Sequence, residues 1–141
     1  MTQPFRHRFR VRYAEVDPQS VVFNSRYLEY ADFIITEYWR EAGPHFTGEG
    51  ALEFHVVKAV VEFERPIRAD EWVEGRAWTT RIGNSSIDTR IELHGATAGE
   101  DDRRAMIDLV HVHVDLESGR PISIPFAVRA ALGEQLERAD G

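Results

Sequence analysis

The sequence predicts an α+β fold, in which a curved antiparallel sheet of about five strands is wrapped around one long central helix. Three observations carry this expectation. The segment 25–42 repeats apolar residues at helical spacing. Other segments alternate apolar and polar residues with the period of two that a strand imposes. The connections between the later strands are short, which favours antiparallel neighbours. A helix with so wide an apolar stripe must be covered, and the rest of the chain offers sheet to cover it.

The first strand is expected over Phe5–Tyr13. Phe5, His7, Phe9, Val11 and Tyr13 share one face, and Arg6, Arg8, Arg10 and Arg12 the other. Pro18 lacks an amide hydrogen and biases Asp17 toward extended backbone, so the strand should end near Asp17. In the helix, Tyr27, Leu28, Ala31, Ile34, Ile35, Tyr38, Trp39 and Ala42 form the apolar stripe. Asn24 or Ser25 is suited to cap its start, and Gly43-Pro44 to end it.

Further strands are expected over Phe54–Arg65, Trp72–Ile82, Ser85–Gly95 and Arg103–Leu116. In the first of these, Val57, Ala59, Val61 and Phe63 oppose Lys58, Glu62 and Glu64. In Ser85–Gly95, Ile87, Thr89, Ile91 and Leu93 oppose Asp88, Arg90, Glu92 and His94. Pro66 to Asp70, Gly83-Asn84, the polar stretch 98–102 and Glu117 to Pro121 supply the turns. A short helix from Pro125, with Leu132 and Leu136 on its apolar side, closes the chain.

Composition narrows the function classes. The 141 residues are expected to form one domain. The net charge of −7 argues against a nucleic-acid binder, which needs a basic footprint. Cysteine is absent, which removes disulfides, thiolate metal sites and cysteine nucleophiles. No apolar run has membrane-spanning length, and the arginine-rich N-terminus has no signal-peptide core, so a cytoplasmic protein without a membrane partner is expected. Neither a Gly-x-Ser-x-Gly elbow nor a phosphate loop or dinucleotide fingerprint occurs.

Asp17 is the first candidate catalytic residue. It is a lone carboxylate placed shortly before a helix N-terminus. A carboxylate can attack an activated carbonyl or activate water, while free amides of the first helical turn receive the charge that develops on oxygen. Glu15, two residues earlier, is expected to be solvated or ion-paired. His111 and His113 share a strand face, but no clear third ligand joins them apart from Asp115, so a packed or half-exposed strand face is expected there and no metal.

Four segments then stand in a telling order. Asp17-Pro18 is followed by Val21-Val22-Phe23-Asn24-Ser25-Arg26-Tyr27-Leu28. Arg65-Pro66-Ile67 leads into the third strand. Arg81-Ile82-Gly83-Asn84-Ser85-Ser86 follows, and Val112-His113-Val114-Asp115 comes with Gly119-Arg120-Pro121-Ile122. Together they resemble the hotdog-fold acyl-CoA thioesterases, in particular the 4-hydroxybenzoyl-CoA thioesterase family, over nearly the whole chain.

The resemblance implies a hotdog fold and hydrolysis of an aliphatic or aromatic acyl-CoA to acid and CoA. Asp17 would be nucleophile or general base. The backbone amide of Asn24 would polarise the thioester carbonyl. The family builds its sites between subunits of a homodimer, usually paired into a homotetramer, and uses no metal or other cofactor. Ser25 and Tyr27 are candidate substrate-binding residues. The phosphates of CoA need a basic surface, for which the Arg6–Arg12 stripe, Arg81 with Ser85 and Ser86, and Arg65 are the candidates. Two positions depart from the family: Ser20 stands where Gly is usual, and Asn24 where many members carry Tyr or His. A non-catalytic module that binds acyl-CoA or an acyl-carrier protein on the same scaffold is the competing reading.

Overall fold

A computed structural model describes residues 4–44, 51–96 and 101–140, with side chains to 133. Five strands form one antiparallel sheet: β1 (Phe5–Arg10), β2 (Phe54–Phe63), β3 (Trp72–Ile82), β4 (Ser86–Gly95) and β5 (Arg103–His113), in the spatial order β1-β3-β4-β5-β2. Two helices accompany it, α1 (Arg26–Ala42) and α2 (Phe126–Asp140). The predicted five-stranded antiparallel sheet is present. The picture of one long central helix with a short one closing the chain is met in part, because α2, 15 residues against the 17 of α1, also packs against β3.

The apolar stripe of α1 is its seat on the sheet. Of the predicted stripe, Tyr27, Ala31, Ile34, Ile35, Tyr38 and Trp39 are buried, whereas Leu28 is exposed and Tyr30, which lies outside that prediction, is buried. Tyr30 packs on Phe9 of β1, with ring centroids 4.7 Å apart. Ile34 lies over Gly75, and the Tyr38 hydroxyl meets Thr79 Oγ1 at 2.7 Å. The helix therefore runs in the direction of β3, starting where β3 starts. Below it the core is closed by Val73, Ala77, Ile87, Ile91, Leu93, Ala105 and Ile107. The helix stops at Gly43, whose φ of 128° leaves its amide to bond Trp39 O at 2.8 Å.

The opposite face of the sheet is polar. Arg76 pairs with Glu74 and Asp101, Arg90 with Asp108, and Arg103 with Glu64 and Glu92. Alternation in β3, β4 and β5 thus separates an apolar layer from an ionic one, which the sequence predicts residue by residue for β4.

Several boundaries differ from expectation. β1 ends at Arg10, because its partner β3 begins at Trp72 and the ladder has no further rung. A 3-10 turn over Tyr13–Glu15 follows, so Tyr13 is 91% exposed rather than inward. β2 stops at Phe63, β4 begins at Ser86, and β5 stops at His113, where β2 also runs out of partners. Beyond it, Val114 bridges Pro121. The predicted inward face of β2 is not formed as expected. A register shift between Val56 and Lys58 breaks the alternation on this edge strand, and Val57, Ala59 and Phe63 are exposed. The predicted turn at 98–102 lies mostly outside the described residues, as does the side chain of Leu136.

Gly75 is where α1 comes nearest to the sheet. A Cβ there would lie 2.2 Å from Ile34 Cδ1 and 2.4 Å from Cγ1. Gly75→Ala is expected to cost about 1–3 kcal/mol, read from the urea midpoint. Ile34→Val in the same background should recover part of that loss, because it removes the atom in nearest conflict.

Candidate active site

The site is built by the chain between β1 and α1. After Arg10, the Val11 amide donates to Glu71 O at 2.9 Å, which ties the chain to the start of β3. The 3-10 turn then buries Glu15, which is 2% exposed. Its carboxylate accepts from the Arg12 amide at 2.8 Å, from Arg12 Nη2 at 2.7 Å and from the Tyr30 hydroxyl at 3.0 Å. Burial works to raise the Glu15 pKa, but the bonds from Arg12 and Tyr30 outweigh it and hold the group below the ordinary carboxylate range. Burial and the adjoining Glu15 anion push the Tyr30 hydroxyl far up, so it remains a donor.

Val16 and Val22 form an isolated bridge that encloses the loop 17–21. Within it the Asp17 amide donates to Val21 O at 2.9 Å, and the Ser20 amide to Asp17 O at 2.9 Å. The Gln19 amide donates to Asp17 Oδ1 at 2.8 Å, an Asx turn that fixes the carboxylate. Oδ2 has no partner among the described residues. Ser20 has a φ of 64°, in the left-handed region that glycine enters without steric cost. This explains why glycine suits position 20, and shows that serine keeps the same turn.

The chain then enters the helix. The Phe23 amide donates to Glu15 O at 3.0 Å, the Arg26 amide to Phe23 O at 2.9 Å, and the Tyr27 amide to Asn24 O at 3.3 Å. The Asn24 amide has no acceptor among the described residues. The expected side-chain cap is not formed. Ser25, at the N-cap, is already helical, with φ −66° and ψ −20°, and its side chain makes no capping bond. The carbonyls of Phe23 and Asn24 do the work instead.

Asn24 opens onto a groove of about 230 Å3, lined also by Val21, Val22, Tyr27, Phe63, Glu64, Arg65 and Pro66. Tyr27 forms its floor, edge-on to Phe63 with centroids 4.8 Å apart. Of the predicted residues, Asn24, Tyr27 and Arg65 therefore meet around one space. Asp17 lies on the adjoining loop and Ser25 at the exposed start of the helix. Arg65 arrives already engaged, by Asp102 and by Arg103 O at 3.2 Å. The side chain of Arg104 pairs with both Asp102 and Glu71 and holds the two carboxyls below their ordinary range despite partial burial.

Arg81, Ser85 and Ser86 are not brought to this groove within one chain. They lie at the hairpin joining β3 to β4, at the far end of the sheet. Arg81 is nine residues along β3 from Trp72, roughly 30 Å at about 3.3 Å per residue. Sequence reasoning missed Phe63 as a groove wall and Tyr30 as the partner of Glu15. Phe63 belongs to an alternating run, in which nothing marks the member that turns toward a site, and Tyr30 stands outside the predicted apolar stripe of the helix.

His111 and His113 form a packed face, as expected. His113 Nδ1 lies 3.0 Å from Ser123 O, and His111 sits against Trp39 with centroids 4.9 Å apart. Among the described residues no group of three or more acidic, histidine or cysteine side chains stands together as a metal site.

The five-stranded antiparallel sheet with the long helix seated on it is a hotdog-type fold. A family model described as the Thioesterase superfamily matches residues 19–100, more than half of the chain, and the chain belongs to that superfamily as a thioester hydrolase. Among solved structures, a thioesterase from Thermus thermophilus complexed with coenzyme A and Zn is similar at 26% identity, covering 96% of each chain, with a TM-score of 0.82. A protein from Pseudomonas aeruginosa is 26% identical over 95% of this chain and 92% of its own, with a TM-score of 0.84. The 1,4-dihydroxy-2-naphthoyl-CoA thioesterase of Synechocystis shares the fold at 16% identity, covering 92% of this chain and 96% of its own, with a TM-score of 0.83. No curated protein matches the sequence.

Burial pushes the His111 pKa down from 6.5 to about 4. The unfolded chain thus takes up this proton first. The stability contributed by neutral His111 is fully present above pH 6.5 and is lost as the pH falls toward 4. In urea titrations, His111→Leu should flatten the pH dependence in that window, by up to about 1.4 kcal/mol per pH unit.

Proposed function

We propose that the protein hydrolyses an acyl-CoA to the free acid and CoA at the groove beside Asn24. The observation that carries this reading is the unpaired Asn24 amide at the mouth of the groove, next to the loop that fixes Asp17. The thioester oxygen would accept from the Asn24 N–H, which strengthens as that oxygen gains charge. Such a donor is typically worth about 3–4 kcal/mol of transition-state stabilisation. With one carboxylate oxygen held by Gln19, the other is free to take a proton from water. The water oxygen attacks the carbonyl carbon, the C–S bond breaks, and the CoA thiolate leaves and takes up the proton. Direct attack by the same carboxylate, through an anhydride that water then opens, uses the same atoms. The acyl group would rest on Tyr27 and Phe63, with Ser25 and Arg65 at the rim.

The reading includes a second copy of the chain. β2 is an edge strand of ten residues, and Val56, Val57, Val60 and Phe63 on it are 41–62% exposed. An apolar edge of this length invites pairing. Antiparallel pairing of β2 with itself sets the Phe54 end of the copy beside the Phe63 end of this chain. Phe54 is in register with His113, and the neighbouring Val112 with Ser86. The copy's hairpin of Arg81, Ser85 and Ser86 then arrives at the end that holds Asn24, about three strand spacings or 14 Å across. A homodimer, or a homotetramer of such pairs, would complete each site from two chains.

Asp17→Asn is expected to reduce turnover of acyl-CoA thioesters at least a hundredfold, measured by thiol release, with the melting temperature and circular dichroism unchanged. Near-normal turnover in this variant would remove Asp17 from the mechanism.

A further inference from the structure

The outward face of β1, a free edge of the sheet, carries Arg6, Arg8 and Arg10. Beside it, Trp72 is in direct register with Arg10 and is 46% exposed. The guanidinium carbons of Arg8 and Arg10 lie 5.7 and 5.1 Å from its ring centroid. Most arginines elsewhere on this face of the sheet are neutralised by carboxylates, as Arg76, Arg90 and Arg103 are. Arg8 is not: among the described residues its polar partner is the Ala96 carbonyl, at 3.3 Å. Arg10 has only Asp70, at 3.4 Å and itself 81% exposed. The Arg68 side chain has no partner among the described residues. In a chain of net charge −7, two guanidiniums thus lie over one exposed indole, Arg8 without a carboxylate among the described residues and Arg10 with an exposed one, and Arg68 stands four residues before that indole.

That combination has a defined complement. Purines stack on indole and guanidinium planes, and phosphates take the forked donors of arginine. The patch also lies beside the catalytic loop. The Ala69 amide donates to Ser20 O at 3.3 Å, Val21 bridges Arg68, and Trp72 is three residues beyond Ala69, at most about 10 Å of chain. Of the other basic candidates, Arg65 is held by Asp102, and Arg81 has no ring contact among the described residues. We propose that Trp72, Arg8, Arg10 and Arg68 bind the adenosine-phosphate end of the CoA thioester, with the base on Trp72 and the phosphates on the arginines. This rests on the acyl-CoA reading above and adds where the nucleotide lies.

The probe is adenosine 3′,5′-bisphosphate, followed by tryptophan fluorescence and calorimetry on the full chain. Binding should quench fluorescence in the native protein, and Trp72→Phe should abolish the quench. The exposed double variant Arg8→Gln/Arg10→Gln should weaken binding at least about tenfold, since two of the guanidiniums that would take the phosphates are lost. The same variant should lower the preference for acyl-CoA over the matching S-acyl pantetheine by a similar factor. Unchanged affinity in the double variant, or loss in Arg81→Gln instead, would overturn the assignment. Free nucleotide bound without any change in the acyl-CoA preference would also overturn it, since the patch would then be an effector site. Nucleotide binding at Trp72 with no hydrolysis of any acyl-CoA would instead overturn the thioesterase chemistry and leave the nucleotide site standing.

Discussion

The buried carboxylate of Glu15 is the constraint on which the site depends. An anion taken out of water is tolerable only with matched donors, and it finds them on two elements at once. Arg12 belongs to the chain leaving β1, and Tyr30 to the second turn of α1. Satisfying one carboxylate therefore fixes the helix against the strand that precedes it. The same residue's carbonyl receives the Phe23 amide, so the backbone just before Asn24 is set from the same point. Asp17 is two residues further along. Both groups of the proposed chemistry are thereby located by a residue that has no role in that chemistry. The arrangement also explains why Glu15 does not act as a second acid: its lone pairs are already taken.

Much of this architecture was legible in the sequence, because two periodicities rarely mislead. The helical stripe from Tyr27 to Trp39 and the alternation in β3, β4 and β5 each reflect burial on one face, and burial is what the structure shows. Boundaries were less legible. Where β1 and β5 end is decided by where their partners end, which is information from another part of the chain. β2 was misread for a different reason. Its composition suits a half-buried strand, but it lies at the edge and carries an irregular register, so its valines meet solvent. The cap was misread because Asn and Ser can cap, while here two backbone carbonyls close the first turn. Glu15 was not legible as buried, since its partner Tyr30 stands outside the predicted stripe and nothing local joins two residues fifteen positions apart.

The candidate residues fall into two groups because the strands are long. Asp17, Asn24, Tyr27 and Arg65 gather at the end where α1 begins. Arg81, Ser85 and Ser86 occupy the other. Within one chain the sheet keeps them apart, so under the proposed function it is a symmetry operation, not a loop rearrangement, that would unite them. The exposed edge of β2 supplies a place for that operation, whereas the ionic ladders on the outer face of the sheet would have to shed water to pack against anything.

The two ends of α1 do not rest on like surfaces. Under its last turns, Thr89 Oγ1 and His111 Nδ1 are buried without a hydrogen-bond partner among the described residues. Each such atom costs about 1–3 kcal/mol of desolvation. Under the first turns, by contrast, Tyr30 and Glu15 satisfy one another. The two unpaired atoms belong to β4 and β5, however, and the last turns of α1 keep their own tie to the sheet through the Tyr38 hydroxyl and Thr79 Oγ1, 2.7 Å apart. The difference between the two ends is thus a desolvation cost borne by the strands beneath the helix and not a missing anchor, and α1 is tied at both ends to the sheet that carries it.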